Sequence, residues 1–387
     1  MDQRTNKILF ALLRSAICGT KLTDAERAEF SADQLQELLK ISAKHDVIHL
    51  LVLGLKQNSL LPPEQAGIEK YIFKAVYRYE RLRVEYEKLC QALEEARIPF
   101  IPLKGSVLRA YYPEPWMRTS CDIDVLVRKE DLPATVVYLA ENLHYAEKGR
   151  GTHDISMYSP SGVHVELHFD LIEEGLAQNA IAVLSSVWER VTPHAGSVYW
   201  HEMGDAYFYF YHIAHMAKHF EHGGCGIRPF LDLWILDRME NADLPARNAL
   251  LATGGLLQFT EASRKLSGVW FGGETTDDLM QHMQDFLLHG GVYGSADNRV
   301  ALQQKRSGGR FGYLLSRVFV PMARLKRYYP ILEKHPWLMP VMQVRRWFML
   351  LRPDVARRTK RELITNASLE DEKTDVMHDL MKQIGLD

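Results

Sequence analysis

Two aspartates, Asp122 and Asp124, stand in the run Cys121-Asp122-Ile123-Asp124-Val125-Leu126-Val127. If that run is a strand, its side chains alternate, so both carboxylates project to one face and Ile123, Val125 and Val127 to the other. Their Cα atoms would lie roughly 6.5–7 Å apart, within reach of one divalent cation or a pair. A second alternating run, Val163-His164-Val165-Glu166-Leu167-His168-Phe169, sets Glu166 on a polar face with His164 and His168. Three such carboxylates are what two-metal phosphoryl transfer needs: one cation lowers the pKa of an attacking hydroxyl, and the other braces the triphosphate and the leaving pyrophosphate. Upstream, Gly105 lets the backbone approach a phosphate closely, and Ser106 offers a hydroxyl and N–H groups at a helix start. Lys104 and Arg118 are suited to neutralise phosphate charge, and equally to structural salt bridges. An Asp-x-Asp pair alone also fits a solvated strand face; the Gly-Ser turn and the third acid favour the chemical reading.

The elements that must position these groups follow from periodicity. From about Lys7 to Ala96 the chain reads as helices. They are Ile8 to Ala16, a long helix capped near Ser31 and running through Leu35 to Leu55, and another over Val76 to Ala96. Phe100-Ile101-Pro102-Leu103 reads as an edge or opening strand, where proline is tolerated. The runs at Asp122 and Glu166 are its expected partners. After Gly175 the helical period returns and leaves no room for a continuing sheet. The expected organisation is an N-terminal helical region over 1–96, an α+β core over 97–175, a C-terminal helical domain over 176–361 and a loosely ordered acidic tail over 362–387.

At 387 residues and 47% hydrophobic content the chain is long and apolar enough to bury a real core, so disorder is not the default reading. Its net charge of −2 conceals an asymmetry. From Lys305 to Arg361 fifteen Lys or Arg face only Glu333 and Asp354, whereas Glu362 to Asp387 holds seven acids and two lysines. Cys18, Cys90, Cys121 and Cys225 are scattered without a C-x-x-C pair or a secretory segment, so a reduced cytoplasmic protein without a zinc finger is expected. No stretch is apolar enough to span a membrane.

His212, His215, His219 and His222 recur at three- and four-residue steps on one helix face. One helix closes a tetrahedral metal site poorly, so these imidazoles fit structural roles, bonded to Asp232 or Glu202, or a cleft wall where Lys218, His219 and Arg228 meet a triphosphate or acceptor. The basic segment interleaves its cations with Tyr328, Tyr329, Trp347 and Phe348. That pattern suits nucleic acid or an anionic membrane surface. It also suits helices whose apolar face packs on the body while cations pair with the acidic tail, the reading favoured here.

The motifs resemble the DNA polymerase β-like nucleotidyltransferase superfamily, and within it a bacterial family of uncharacterised nucleotidyltransferases. The likeness is carried by Leu103-Lys104-Gly105-Ser106, by Arg118 with Asp122-Ile123-Asp124, and by Val165-Glu166-Leu167-His168. It extends more loosely to His215-x-x-Lys218-His219 and to Gly226-Ile227-Arg228-Pro229 with Asp232. The sequence departs from the common pattern in the fifteen residues between Ser106 and Asp122, a longer gap than usual, and in a Glu as third acid. The resemblance implies a short mixed sheet with flanking helices and Mg2+- or Mn2+-dependent transfer of a nucleoside monophosphate from an NTP to an acceptor hydroxyl, with release of pyrophosphate. By motif position it implies Asp122, Asp124 and Glu166 as metal ligands and catalytic acids, with Gly105 and Ser106 on the β and γ phosphates. It also favours Lys218, His219 and Arg228 in the cleft. The acceptor and the oligomeric state are not legible, nucleic acid is not the favoured acceptor, and the alternative is a non-catalytic nucleotide-binding or regulatory protein that keeps the fold.

Overall fold

A computed structural model describes residues 2–61, 67–173, 175–350 and 353–386. The chain forms two compact units, one of Met1–Lys218 with Ile227–Met280 and one of His219–Gly226 with Gln281–Asp387. In the first, helices α1 (Gln3–Cys18), α2 (Asp24–Glu29), α3 (Leu35–Lys44), α4 (Ile48–Gln57) and α5 (Lys70–Glu95) precede the sheet. Strand β1 (Phe100–Pro102), the five-residue helix α6 (Lys104–Leu108), β2 (Asp122–Val127), α7 (Leu132–Asn142), β3 (Ala146–Arg150), β4 (Asp154–Tyr158) and β5 (His164–His168) follow. Next come α8 (Gln178–Leu184), the hairpin β6 (Val191–Pro193) and β7 (His201–Met203), α9 (Asp205–Glu221), α10 (Arg228–Leu236), α11 (Leu244–Thr253) and α12 (Leu257–Ser267).

The main sheet has the order β1-β2-β5-β4-β3, with β2 and β5 parallel and the other neighbours antiparallel. It is the short mixed sheet with flanking helices that the resemblance implies. Its apolar face carries Ile123, Val125, Val127, Ile155, Met157, Val165 and Leu167. These pack with Leu82, Leu89 and Leu93 of α5 and Leu139 of α7. Each such side chain removed from water contributes about 1.5–3 kcal/mol, which fixes the register and turns the acids to the other face.

Three expectations are corrected. The helix foreseen over 35–55 is interrupted: α3 ends at Lys44, Asp46 takes a left-handed φ of 53°, and α4 begins at Ile48. The break lets the Asp46 carboxylate accept from Arg78, Thr119 and Arg228. Strands β3 and β4 were not foreseen, because β3 (Ala146-Glu147-Lys148-Gly149-Arg150) is exposed throughout and shows no alternation. The two-stranded sheet of β6 and β7 lies beyond the expected end of the strands, and Phe100 N–H joins it by donating to Tyr199 O at 2.9 Å.

Helices α1 and α4 approach so closely that a Cβ on Gly54 would stand 2.3 Å from the Leu12 carbonyl oxygen. Gly54→Ala should destabilise the protein by about 1–3 kcal/mol, because backbone must move to admit one methyl group; chemical denaturation measures it, and an unchanged midpoint would refute the tight crossing.

The second unit contains α13 (Asp278–His289), α14 (Ala296–Arg306), α15 (Arg310–Val318), α16 (Met322–Tyr328), α17 (Ile331–Lys334), α18 (Met339–Leu350), α19 (Pro353–Ser368) and α20 (Asp371–Gln383). The acidic tail, expected to be loosely ordered, is largely the helix α20. Its composition hides an apolar stripe, Met377, Leu380, Met381 and Ile384, that is buried. The expected pairing of basic segment and tail occurs between Arg317 and Glu362 at 3.1 Å, and between Lys305 and Asp375 at 2.5 Å. The apolar residues of α15 and α18, by contrast, are largely exposed rather than packed on the body. Leu351 and Arg352 of the basic segment lie outside the described residues. Among the described residues no helix is long and apolar enough to cross a membrane.

Candidate active site

The parallel register of β2 and β5 builds the site. Asp122 pairs with His164, Asp124 with Glu166 and Leu126 with His168, so cross-strand partners share a face. Asp122, His164 and Glu166 bring ligand atoms within 4.8 Å of one another, and so do Asp124, Glu166 and His168. Glu166 belongs to both groups. The donors are carboxylate oxygens, which suit hard cations such as Mg2+ or Mn2+, and imidazole nitrogens, which suit borderline transition metals.

Asp124 is the buried centre. Its Oδ1 accepts from Lys104 Nζ at 2.8 Å and lies 2.9 Å from His168 Nε2, and Lys104 Nζ is 3.9 Å from Glu166 Oε2. Burial opposes the charge on Asp124, but the Lys104 ammonium and the His168 bond outweigh it and hold the carboxyl well below its usual range. At Asp122 the opposing pull of Lys104 and His164 is outweighed. Burial, then the charges of Asp124 and Glu166, push it up to about 6. The two aspartates thus differ in proton affinity although they share a strand face, as expected when like charges crowd one site. Burial opposes the charge on Lys104 and His168 as well, yet their carboxylate partners leave both raised.

The turn before β2 is held from several sides. Leu103 N–H donates to Asp124 O at 3.0 Å, and Lys104 adopts a left-handed φ of 44°. That conformation costs a lysine of order 1 kcal/mol and persists because main chain and side chain are both tied to Asp124. A Cβ on Gly105 would meet Ser120 Cβ at 3.0 Å, so the glycine is needed for the turn to lie against the start of β2. Arg109 locks this approach, donating from Nε to Gly105 O and from Nη2 to Ser120 Oγ, both at 2.8 Å. Ser106 Oγ is buried and has no hydrogen-bond partner among the described residues. A buried hydroxyl left unpaired costs about 1–3 kcal/mol, and an incoming oxyanion would satisfy it.

The other cations foreseen for phosphate each carry a carboxylate partner. Arg118 donates from Nε and Nη2 to Asp232 at 2.7 and 2.9 Å and from Nη1 to Thr119 O at 2.7 Å, so each of its nitrogens is committed within the protein. Arg228 Nη1 donates to Asp46 Oδ2 at 2.9 Å and Thr119 O at 2.8 Å. Lys218 pairs with Glu173, whose carboxylate also lies 3.6 Å from His153 and 4.0 Å from His215. Burial opposes ionisation of Glu173, but Lys218 and then Lys104 bring it down to about 2. His219 belongs to the second unit, where its carbonyl accepts Gly224 N–H at 3.0 Å. His212 lies 3.3 Å from Pro229 O, and Glu202 pairs with His194 instead.

With this geometry in place, the family described as uncharacterised nucleotidyltransferase matches residues 31–272. The chain belongs to that family. No curated protein and no solved structure matches it. The span matched to the uncharacterised nucleotidyltransferases contains the whole main sheet, Lys104 to Ser106, both aspartates, Glu166 and Arg228. Membership supports nucleotidyl transfer in general and leaves donor and acceptor to the site itself. Reading the sequence missed His164 and His168 as members of the cluster, although both share the two-residue phase of Glu166. It also missed Arg109 and Ser120, for which spacing gives no signal.

Proposed function

We propose that this protein transfers a nucleoside monophosphate from an NTP to an acceptor hydroxyl, with pyrophosphate leaving, in a Mg2+- or Mn2+-dependent reaction. The observation that carries this reading is the β2/β5 register, which sets Glu166 opposite Asp124 and within the cluster of Asp122. Asp122, Asp124 and Glu166 would hold the cations, with His164 and His168 at their flanks. When bound, the cations supply charge neutralisation on the phosphates and acidify the attacking hydroxyl.

The chain's own residues account for the rest. Ser106 presents its unpaired hydroxyl to the β and γ phosphates beside the close backbone approach that Gly105 allows. Lys104 compensates the carboxylates at rest and is placed to meet phosphate oxygens when another positive charge takes over Asp124. Glu166 orients and helps deprotonate the acceptor hydroxyl: the oxygen attacks the α-phosphorus, the bond to the bridging oxygen of pyrophosphate breaks, and the proton passes to the carboxylate or to water. His168, bonded to Asp124, fixes that carboxylate's orientation. Arg118, Arg228 and Lys218 act through their carboxylate partners, as the frame around the cleft. A non-catalytic descendant would be favoured by a Glu166 turned away from the aspartates, and its place in both acidic groups argues for turnover.

Incubating the whole chain with each α-labelled NTP, Mg2+ or Mn2+ and a cell extract tests the reading. Label should pass to an acceptor. Absence of transfer, together with absence of metal-dependent NTP binding that Asp122→Asn removes, would overturn it. Ser106→Ala gives an independent check on the phosphate role. A hydrogen bond to a charged group is worth about 1.5–3 kcal/mol, so KM for the NTP should rise about tenfold or more. The melting temperature should rise, since the change removes a buried hydroxyl that makes no bond in the fold; a fall in stability with KM unchanged would count against it.

A further inference from the structure

Two helices of the second unit leave their apolar stripes in solvent. On α15, Phe311, Leu314, Leu315 and Val318 follow the spacing of one helix face and are exposed, Phe311 by 73%. On α18 and the turn before it, Trp337, Val341, Val344 and Phe348 do the same, Phe348 by 69%. The stripes adjoin where the Phe319 and Trp347 rings meet edge to face at 5.9 Å, and Trp347 Nε1 donates to Val318 O at 2.8 Å. Exposed contiguous apolar surface of this kind marks an interaction site. The segment from Lys305 to Arg361 carries fifteen Lys or Arg against two acids; Lys305 and Arg317 are paired with Asp375 and Glu362, whereas Lys334 and Arg345, next to the second stripe along the chain, are exposed.

We infer that this face docks on an anionic lipid bilayer surface. The inference stands apart from nucleotidyl transfer and uses none of its residues. A bilayer interface supplies both halves of the complement, acyl chains for aliphatic and aromatic side chains and anionic headgroups for the cations. Nucleic acid meets the cations and stacks on aromatics, but it gives Leu315, Val318, Val341 and Val344 no apolar phase. A two-fold contact with a second copy would set the same basic segment against itself.

Flotation of the whole chain with vesicles decides the matter. The protein should float with phosphatidylcholine vesicles containing phosphatidylserine, not with phosphatidylcholine alone, and high salt should weaken binding. Phe311→Ser with Phe348→Ser should lower the affinity by about tenfold or more per phenylalanine. Both residues are exposed, so the melting temperature should hold. Lys334→Gln with Arg345→Gln, which leaves both apolar stripes in place, should lower affinity and flatten the salt dependence. Failure of the unaltered protein to bind either vesicle overturns the inference, as does binding that both variants leave unchanged. So do a dimer in sedimentation velocity that the phenylalanine variant dissolves, and RNA binding without vesicle binding.

Discussion

Asp122→Asn should extinguish transfer and stabilise the fold at the same time. A ligand that helps hold the cations carries several kcal/mol of transition-state stabilisation, so transfer should fall by about 1000-fold or more. The gain in stability follows from the folded pKa of about 6 against an ordinary aspartate value of 3.8. Here the folded pKa is raised, so ionisation is penalised by folding, and the penalty grows as pH rises from 3.8 to about 6 and stays constant above. One pKa unit is about 1.4 kcal/mol, so burying the ionised Asp122 costs at most about 3 kcal/mol in neutral solution without metal. Asparagine removes that cost. Melting curves in chelator should therefore separate the two proteins above pH 6 and merge them below 3.8. The same raised value predicts that divalent-cation affinity falls as pH drops through about 6, because a proton must leave Asp122 first. A variant that keeps its transfer rate, or one less stable than the parent throughout, would sink the assignment of Asp122.

The second large effect is structural. Asp232 is fully buried and accepts two bonds from Arg118 and one from Tyr112 Oη at 2.8 Å. Burial opposes its charge, and Arg118 more than compensates, leaving the carboxyl lowered. Asp232→Ala strands a buried guanidinium, which costs about 3–5 kcal/mol and should lower the melting temperature by roughly 10 °C. Replacing the group by apolar side chains, Arg118→Met with Asp232→Leu and Tyr112→Phe, should recover most of that loss. Transfer should return with it, because every nitrogen of Arg118 is committed to protein acceptors. If stability returns and KM for the NTP stays high, Arg118 meets phosphate after all.

How much of this was written in the sequence depends on whether the signal was local. Period-two alternation at Asp122 and Glu166 predicted two strands with their acids on one face, and the β2/β5 register pairs them directly. The edge strand at Phe100 was equally legible, because Pro102 tolerates only such a place. By contrast β3 is exposed at every position, and β4 offers only Ile155 and Met157 as inward residues. Such strands exist through pairing, β4 with β5 and β3 with β4, rather than through their own pattern. Ionic partners were less legible still. Nothing in the spacing of Arg118 and Asp232, or of Arg228 and Asp46, joins them, so cations suited by type to phosphate turn out to carry carboxylates from distant parts of the chain. Arg109 looks in sequence like a surface residue of a short helix, yet it is buried against the Gly105 turn.

The break at Asp46 changes how the chain can be divided. By composition the first ninety-six residues look like a detachable helical arm. Asp46 accepts from Arg78 of α5, from Thr119 just ahead of β2 and from Arg228 of α10. Glu94 at the end of α5 accepts the N–H groups of Val198, Tyr199 and Trp200. A shortened protein beginning at Arg97 would uncover the apolar underside of β2 and leave Arg228 without its counter-charge. The arm is better regarded as a girdle drawn around the sheet and closed at Asp46, and an expression strategy that trims it would produce aggregate in place of a smaller transferase.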